Sequence, residues 1–518
     1  QQCVDTPVAV TRGMAPEAET ADPPAAYTDL LDEIKRYSAV DSAQSVLSWD
    51  QQVMMPEGGT PARSQQLSTL SSLSHELLVD GDVGDHLDAL DDESLTADQG
   101  AVVREVRRQY RRAERVPRDL VEDISEASSE ALGAWESARE NDEFSEFAPH
   151  LERLVDLKRQ YAEHIDPDAD PYAVLFADYE PCLPLSKAES ILDELRETLV
   201  PLIEEVRASD TELATDALDG TYDTDTQEDL ARDVLELLDY DFDRGRLDTS
   251  THPFTSGNQF DCRITTRFDP EDPLGSLLPT IHEFGHAYYT LGLPDDAFGT
   301  PLGDDRDLSV HESQSRLWEN HVGRSEQFWE LLLPKFTDRF PQADELSARD
   351  AYEAANQVYD ENLIRVEADE LTYHLHIIVR FEIERELIGG DLAVEDVPAR
   401  WNELYEEYLG LTPPSDAVGC LQDIHWSHGS FGYFPTYSLG SVMAAQLYDA
   451  ADSEIDDLDG KIRAGEFDPL GEWLRENVHR HGQRYETGEL VERATGEPFS
   501  ADAFTDYVTE KYGDLYDL

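Results

Sequence analysis

The stretch LGSLLPTIHEFGHAYY, Leu274 to Tyr289, decides how this chain is read. It contains HExxH at His282 to His286, and residues four apart sit one above the other on a helix face, so both histidines can share one ion. Leu274, Leu277, Leu278, Ile281 and Tyr288 recur at helical spacing, which makes this a half-buried helix. Pro279 would kink a helix interior, so the regular helix is expected to begin near it. Chance would supply roughly 0.05 copies of the motif in a chain of this length and composition, and its helical setting makes an accident a poorer explanation still.

A catalytic zinc takes three protein ligands and keeps one position open, so two histidines are not enough. HESQSRLWENH, from His311, follows on a segment that reads as helical and offers Glu312 as the third ligand, with Glu319 in reserve. The expected metal set is therefore His282, His286 and Glu312. Glu283 adjoins the first ligand without being one, and is placed to take a proton from the attacking water.

Working outward, the pattern from Tyr27 onward is overwhelmingly helical, with apolar residues three and four apart at Leu30, Leu31 and Ile34 and again at Leu151, Leu154 and Leu157. No internal repeat is visible. One short segment departs from helix. RITTRF, Arg263 to Phe268, is β-branched and aromatic and is bounded by Asp261 and by Asp269-Pro270, so it reads as a strand beside the motif, where a peptide backbone could pair. Residues 1–25 are rich in Pro and Ala and lack helical periodicity, and read as a flexible N-terminal extension. Gln1 to Gly13, ahead of the first methionine Met14, are set aside as an upstream segment. Residues 26–518 read as one domain with two lobes around a cleft.

The 518 residues are 40% hydrophobic and 9% aromatic, enough for a large buried core. Against 40 basic residues stand 113 acidic ones, a formal charge of -73 that repels nucleic acid and anionic membranes. The acid is interleaved with Leu, Val, Trp and Tyr along nearly the whole length, which fits a folded protein with an acidic surface and not a disordered chain. Lysine is confined to Lys35, Lys158, Lys187, Lys335, Lys461 and Lys511. The pattern points to the salt-loaded cytoplasm of a halophilic archaeon. Cys3, Cys182, Cys262 and Cys420 are far apart and lack CxxC spacing, so neither a disulfide framework nor a cysteine-zinc site is suggested. With no membrane-length apolar run and no secretory h-region, a cytoplasmic location is expected.

Further motifs stand in order along the chain: WDQQVMMPEGG at Trp49, HPF at His252, DCRIT at Asp261, HEFGH at His282, HESQ at His311, IRVEAD at Ile364 and GCLQDIHW at Gly419. Together they resemble the signature set of the carboxypeptidase Taq family of zinc-dependent metallocarboxypeptidases, from about Tyr27 to the C-terminus. The resemblance implies a mainly α, two-lobed, neurolysin-like metallopeptidase fold with a deep active-site cleft and a small β element near the zinc helix. It further implies a homodimer, Zn2+ with Co2+ able to substitute, and removal of single residues from the free C-terminus of peptides.

A free α-carboxylate is best recognised by a planar guanidinium, so Arg263 and Arg365 are the candidate substrate contacts. Each has a competing local acid: Asp261 two residues before Arg263, and Asp369 one helical turn after Arg365. The Gly- and aromatic-rich segment Gln422 to Gly440 reads as a loop across a cleft. His425 and Tyr433 are its candidate donors to the developing oxyanion, with His428 and Tyr437 behind them and Tyr437 also a substrate contact. Trp49, Met54 and Met55 read as core packing, Ile364 to Ile388 as a helix with a buried stripe, and His374 and His376 as structural. Asp261 and His252 are candidate hydrogen-bond partners of the ligating histidines. Two other readings compete: an oligopeptidase cutting internal bonds with the same site, and a non-catalytic acidic scaffold, against which Glu283, His425 and Tyr433 all speak.

The acidic surface predicts salt-dependent folding. Tm followed by circular dichroism should rise by several degrees as salt goes from about 0.1 M to molar levels, where the screening length is about 3 Å. Full stability in dilute buffer would overturn this reading.

Overall fold

The computed structural model describes residues 22–518, so most of the expected N-terminal extension lies outside the described residues. The protein is mainly helical with one small sheet. The helices that position the site are α1 (Ala25–Val53), α2 (Ala97–Arg115), α3 (Leu274–Gly292), α4 (Leu308–Arg316), α5 (Thr372–Gly389) and α6 (Pro435–Glu454). Buried apolar side chains of the described residues gather into two clusters. A small one holds Leu30 and Ile34 of α1 with Val102 and Val106 of α2, and a large one runs from Val116 to Tyr516. Arg306 staples the two regions. Its guanidinium makes a two-pronged bond to Glu105 of α2, at 2.9 and 3.1 Å, with all three charged groups of the Glu105–Arg306–Asp307 cluster buried.

The sheet holds β1 (Gly245–Thr249), β2 (Thr255–Asn258) and β3 (Asp261–Thr266) in the order β1-β3-β2. β1 runs parallel to β3 and β2 antiparallel. The expected strand is therefore present but begins two residues earlier, and it is central, hydrogen-bonded on both sides. A substrate backbone cannot pair with it, and β2 is the edge strand nearest α3. One face of the sheet packs on α3, where Thr266 meets Thr280 at 3.0 Å. The other face carries Arg246 and Arg263 over the ring of Trp49, with guanidinium carbons 5.2 and 4.3 Å from its centroid.

Several expectations need correcting. Trp49 is buried, but beneath arginines instead of in either apolar cluster. Met54 is 51% exposed, because α1 ends at Val53 and the chain turns away. α3 starts at Leu274 and carries Pro279 within its early turns, where only one ladder bond is lost. The Ile364 segment is not continuous helix: a short 3-10 turn at Arg365–Glu367 precedes α5. His374 and His376 are structural as expected, buried and bonded to Ser438 and Tyr405.

α3, α4 and α6 meet backbone to side chain. A Cβ on Gly285, inside the HExxH motif, would stand 2.5 Å from the Gln314 carbonyl oxygen and 2.6 Å from Ser315 Cα. A Cβ on Gly440 of α6 would stand 2.5 Å from Cβ and Cγ of Glu312. Gly285→Ala should thus push α4 off α3, costing about 1–3 kcal/mol in urea unfolding and weakening metal binding measured by chelator competition. Wild-type values for both would contradict this packing account.

Candidate active site

The ligand helix α4 is fixed from its first turn. Ser309 donates its backbone N–H and its hydroxyl to the two oxygens of buried Glu180, each at 2.6 Å. Three residues on, Glu312 faces α3. Its Oε2 lies 3.7 Å from His282 Nε2 and 3.4 Å from His286 Nε2, and these three groups form the potential metal cluster among the described residues. Metal bonds of about 2.0–2.1 Å in tetrahedral geometry require ligand atoms about 3.3 Å apart, so the donor set fits a zinc-sized ion.

The far ring nitrogens point the same way. His282 Nδ1 meets Glu319 Oε2 at 2.9 Å, and His286 Nδ1 lies 3.1 Å from the His311 carbonyl with the His311 ring nitrogen at 2.5 Å. A proton held on Nδ1 leaves each Nε2 lone pair free for a metal. Glu319, expected as a reserve ligand, is therefore the carboxylate behind His282. The partners expected for the histidines are elsewhere: His252 is exposed, and Asp261 is bonded to Arg263 at 2.8 and 2.6 Å.

Charge balances locally. Arg316 holds Glu312 Oε1 at 2.7 Å and reaches Glu319 Oε2 at 3.3 Å, while Arg324 holds Glu319 Oε1 at 2.9 Å. Burial works to raise both carboxyls, but Arg316, helped by His282, outweighs it and keeps them ionised far below the usual range. Glu283 has no such guanidinium. Burial pushes it up to about 7, against the pull of His282 and of a 2.7 Å hydrogen bond from Thr255 on β2.

Arg365 is buried and held by Asp423, with Nε and Nη2 at 2.9 and 2.8 Å from one carboxylate oxygen. The local acid expected for it, Asp369, instead caps α5 through the N–H groups of Leu371 and Thr372. Arg365 lies 5.3 Å from the Tyr437 ring centroid. Tyr437 is one turn before Gly440, which touches Glu312, so this cluster adjoins the metal ligands. Arg263, by contrast, is committed to Asp261 on the α1 side of the sheet. His425 and Tyr433 pack together, ring centroids 5.5 Å apart, with Tyr437 5.3 Å from Tyr433. Burial pushes His425 down to about 4, so it is neutral at pH 7. His428, at the far end of the same short turn, accepts at its backbone carbonyl from the Ser128 hydroxyl.

Sequence reasoning passed over Arg316, Thr255 and Asp423. Arg316 was within reach, being one helical turn from Glu312, whereas the others depend on contacts between distant segments.

A helical body with two histidines on one helix, a glutamate on the next and an unpaired glutamate beside them defines a HExxH metallopeptidase. Comparison with known proteins narrows the class. The carboxypeptidase Taq (M32) metallopeptidase family matches residues 29–512, and the chain belongs to it. It is 38% identical over 508 residues to thermostable carboxypeptidase 1 of Thermus thermophilus, covering 95% of this chain and 99% of that protein. With carboxypeptidase 1 of Bacillus subtilis it shares 35% identity over 492 residues, 94% and 98% of the two chains. Its fold superposes on the M32 carboxypeptidase of Deinococcus radiodurans R1 with a TM-score of 0.92 at 38% identity, covering 96% of this chain and all of that one. The protein is a metallocarboxypeptidase. Among the described residues no helix is long and apolar enough to cross a membrane.

Removing the carboxylate behind His282 should loosen the metal, at a cost in stability because Arg324 loses its partner. Glu319→Ala is expected to weaken metal binding about 10- to 100-fold by chelator competition; unchanged affinity would show that Glu319 serves the fold alone.

Proposed function

We propose that the metal is zinc, held by His282, His286 and Glu312 with cobalt able to substitute, and that the enzyme removes single residues from the free C-terminus of peptides. The observation that carries the exo-acting reading is Arg365. Asp423 takes Nε and Nη2 and the Tyr373 hydroxyl accepts from Nη1, so the remaining Nη N–H groups are the ones that would meet a carboxylate. Arg263, already bonded to Asp261, is the weaker of the two candidate anchors.

A zinc ion bound there would supply Lewis-acid polarisation of the scissile carbonyl and acidify water. The chain's own residues do the rest. Glu283 Oε2, steered by the Thr255 hydroxyl, accepts the proton of the attacking water and passes it to the leaving amine. In this reading Tyr433 and neutral His425, which pack together, donate to the oxygen on which charge develops, and Tyr437 with Arg365, its neighbour, holds the terminal residue. A homodimer in a salt-rich cytoplasm completes the reading, the first from the family resemblance and the second from the charge of -73.

A short peptide and its C-terminally amidated twin, in molar salt, test this directly. Chelator-sensitive release of one residue from the free peptide alone is expected; equal cleavage of both would favour the oligopeptidase. Glu283→Gln should keep stoichiometric zinc while turnover falls about 10²- to 10⁴-fold, and retained turnover would remove Glu283 as the base.

A further inference from the structure

Tyr373, the second residue of α5, touches both halves of the site. On one side lies Arg316, whose Nε holds the ligand Glu312 and whose Cζ is 4.9 Å from the Tyr373 ring centroid. On the other, Arg365 donates from Nη1 to the Tyr373 hydroxyl at 3.2 Å. One stiff side chain therefore reaches from the group that orients a metal ligand to the group assigned to the substrate carboxylate.

The ring is held in place from below. Asp369 caps α5 by accepting from Leu371 N, Thr372 N and Thr372 Oγ1 at 3.0, 2.9 and 2.7 Å. The next residue, His374, is buried and pinned to Ser438 of α6 at 2.9 Å. Tyr437 meets the Tyr373 ring edge to face, centroids 6.1 Å apart. Tyr373 itself is only half-buried, so it stays in reach of a bound peptide. Accepting from Arg365 uses a hydroxyl lone pair and leaves the hydroxyl proton for a carboxylate.

An exopeptidase must place the terminal carboxylate and the scissile carbonyl one residue apart, and a slip of one residue moves the carbonyl by about 3.3–3.6 Å. We propose that Tyr373 is the spacer that sets this register, fixing the separation of the carboxylate anchor from the metal centre and aligning Arg365. The proposal rests on the reading of Arg365 as the anchor.

Tyr373→Phe removes the bond to Arg365 and keeps the ring, while Tyr373→Leu removes both. KM for the free-acid peptide should rise about tenfold in Tyr373→Phe with kcat changed far less, matching the loss of one hydrogen bond to a charged group. In Tyr373→Leu the preference for free-acid over amidated peptide should fall about tenfold or more, with two-residue products appearing by mass spectrometry. Zinc stoichiometry by atomic absorption and near-UV circular dichroism should match the parent in both. If the parent discriminates against the amide and both variants keep its KM, preference and single-residue products, the spacer role is overturned and the anchor reading stands. A parent indifferent to amidation would overturn both.

Discussion

The metal centre depends on how closely one helix can approach another. Glu312 sits between α3 and α6, and at both contacts the opposing residue has no side chain: Gly285 lies against the backbone of Gln314 and Ser315, and Gly440 against Glu312 itself. An ordinary side chain at either position would displace α4 by an amount comparable with the tolerance of a metal bond. The pair between the two histidines of HExxH thus carries structural information, since one of its members is the glycine that admits the helix carrying Glu312. Glu180 fixes the same helix at its start, so α4 is held at both ends of the turn that presents Glu312.

Close packing of that kind buries charge, and buried charge must be paired. Glu312 and Glu319 would be costly in this interior without Arg316 and Arg324. The same solution recurs at Glu105 with Arg306, and Lys511 is buried against Glu370 at 2.6 Å. In a chain with 113 acidic and 40 basic residues, these cations are spent inside while much of the acidic excess stays in contact with solvent. Arginine suits the task because its planar, permanently charged fork can bridge two carboxylates, as Arg316 does.

How much of this could be read beforehand follows from sequence distance. His282, His286 and Glu312 were legible because a spacing of four fixes a helix face and HESQ follows on the next helix. The functional part of Glu319 was not, because after Arg316 the helix loosens into π turns over Leu317–Gly323, and its direction cannot be counted from an α-helical period. β1 and β2 were missed for another reason: GRLDT and TSGN are short and polar, and owe their strand conformation to pairing with β3. Thr255 gained its role only through that pairing, which turns it toward Glu283. Asp369 was the local acid competing for Arg365, but Asp423, distant in sequence, is the carboxylate that holds it. Met54 misled because its motif neighbour Trp49 is buried while the helix ends between them.

Asp423 does not neutralise Arg365 on its own. The same carboxylate is shared with Arg380, whose Nε lies 2.6 Å from the other oxygen and whose side chain is fully buried. Two guanidinium groups on one carboxylate leave positive charge uncompensated. Glu384, one turn beyond Arg380, does not cancel it completely, because burial pushes its carboxyl up to about 7, against donors from Gly432, Trp426 and Tyr172. Near neutral pH this glutamate carries only part of a negative charge, and those donors tie it to the loop that presents Tyr433. Arg380 is wholly enclosed, whereas the buried Arg365 side chain keeps 7% exposure, so the residual positive potential has its nearest outlet at Arg365. A local surplus of positive charge inside so acidic a protein favours an anionic guest, and the anion that a peptide's end provides is its carboxylate.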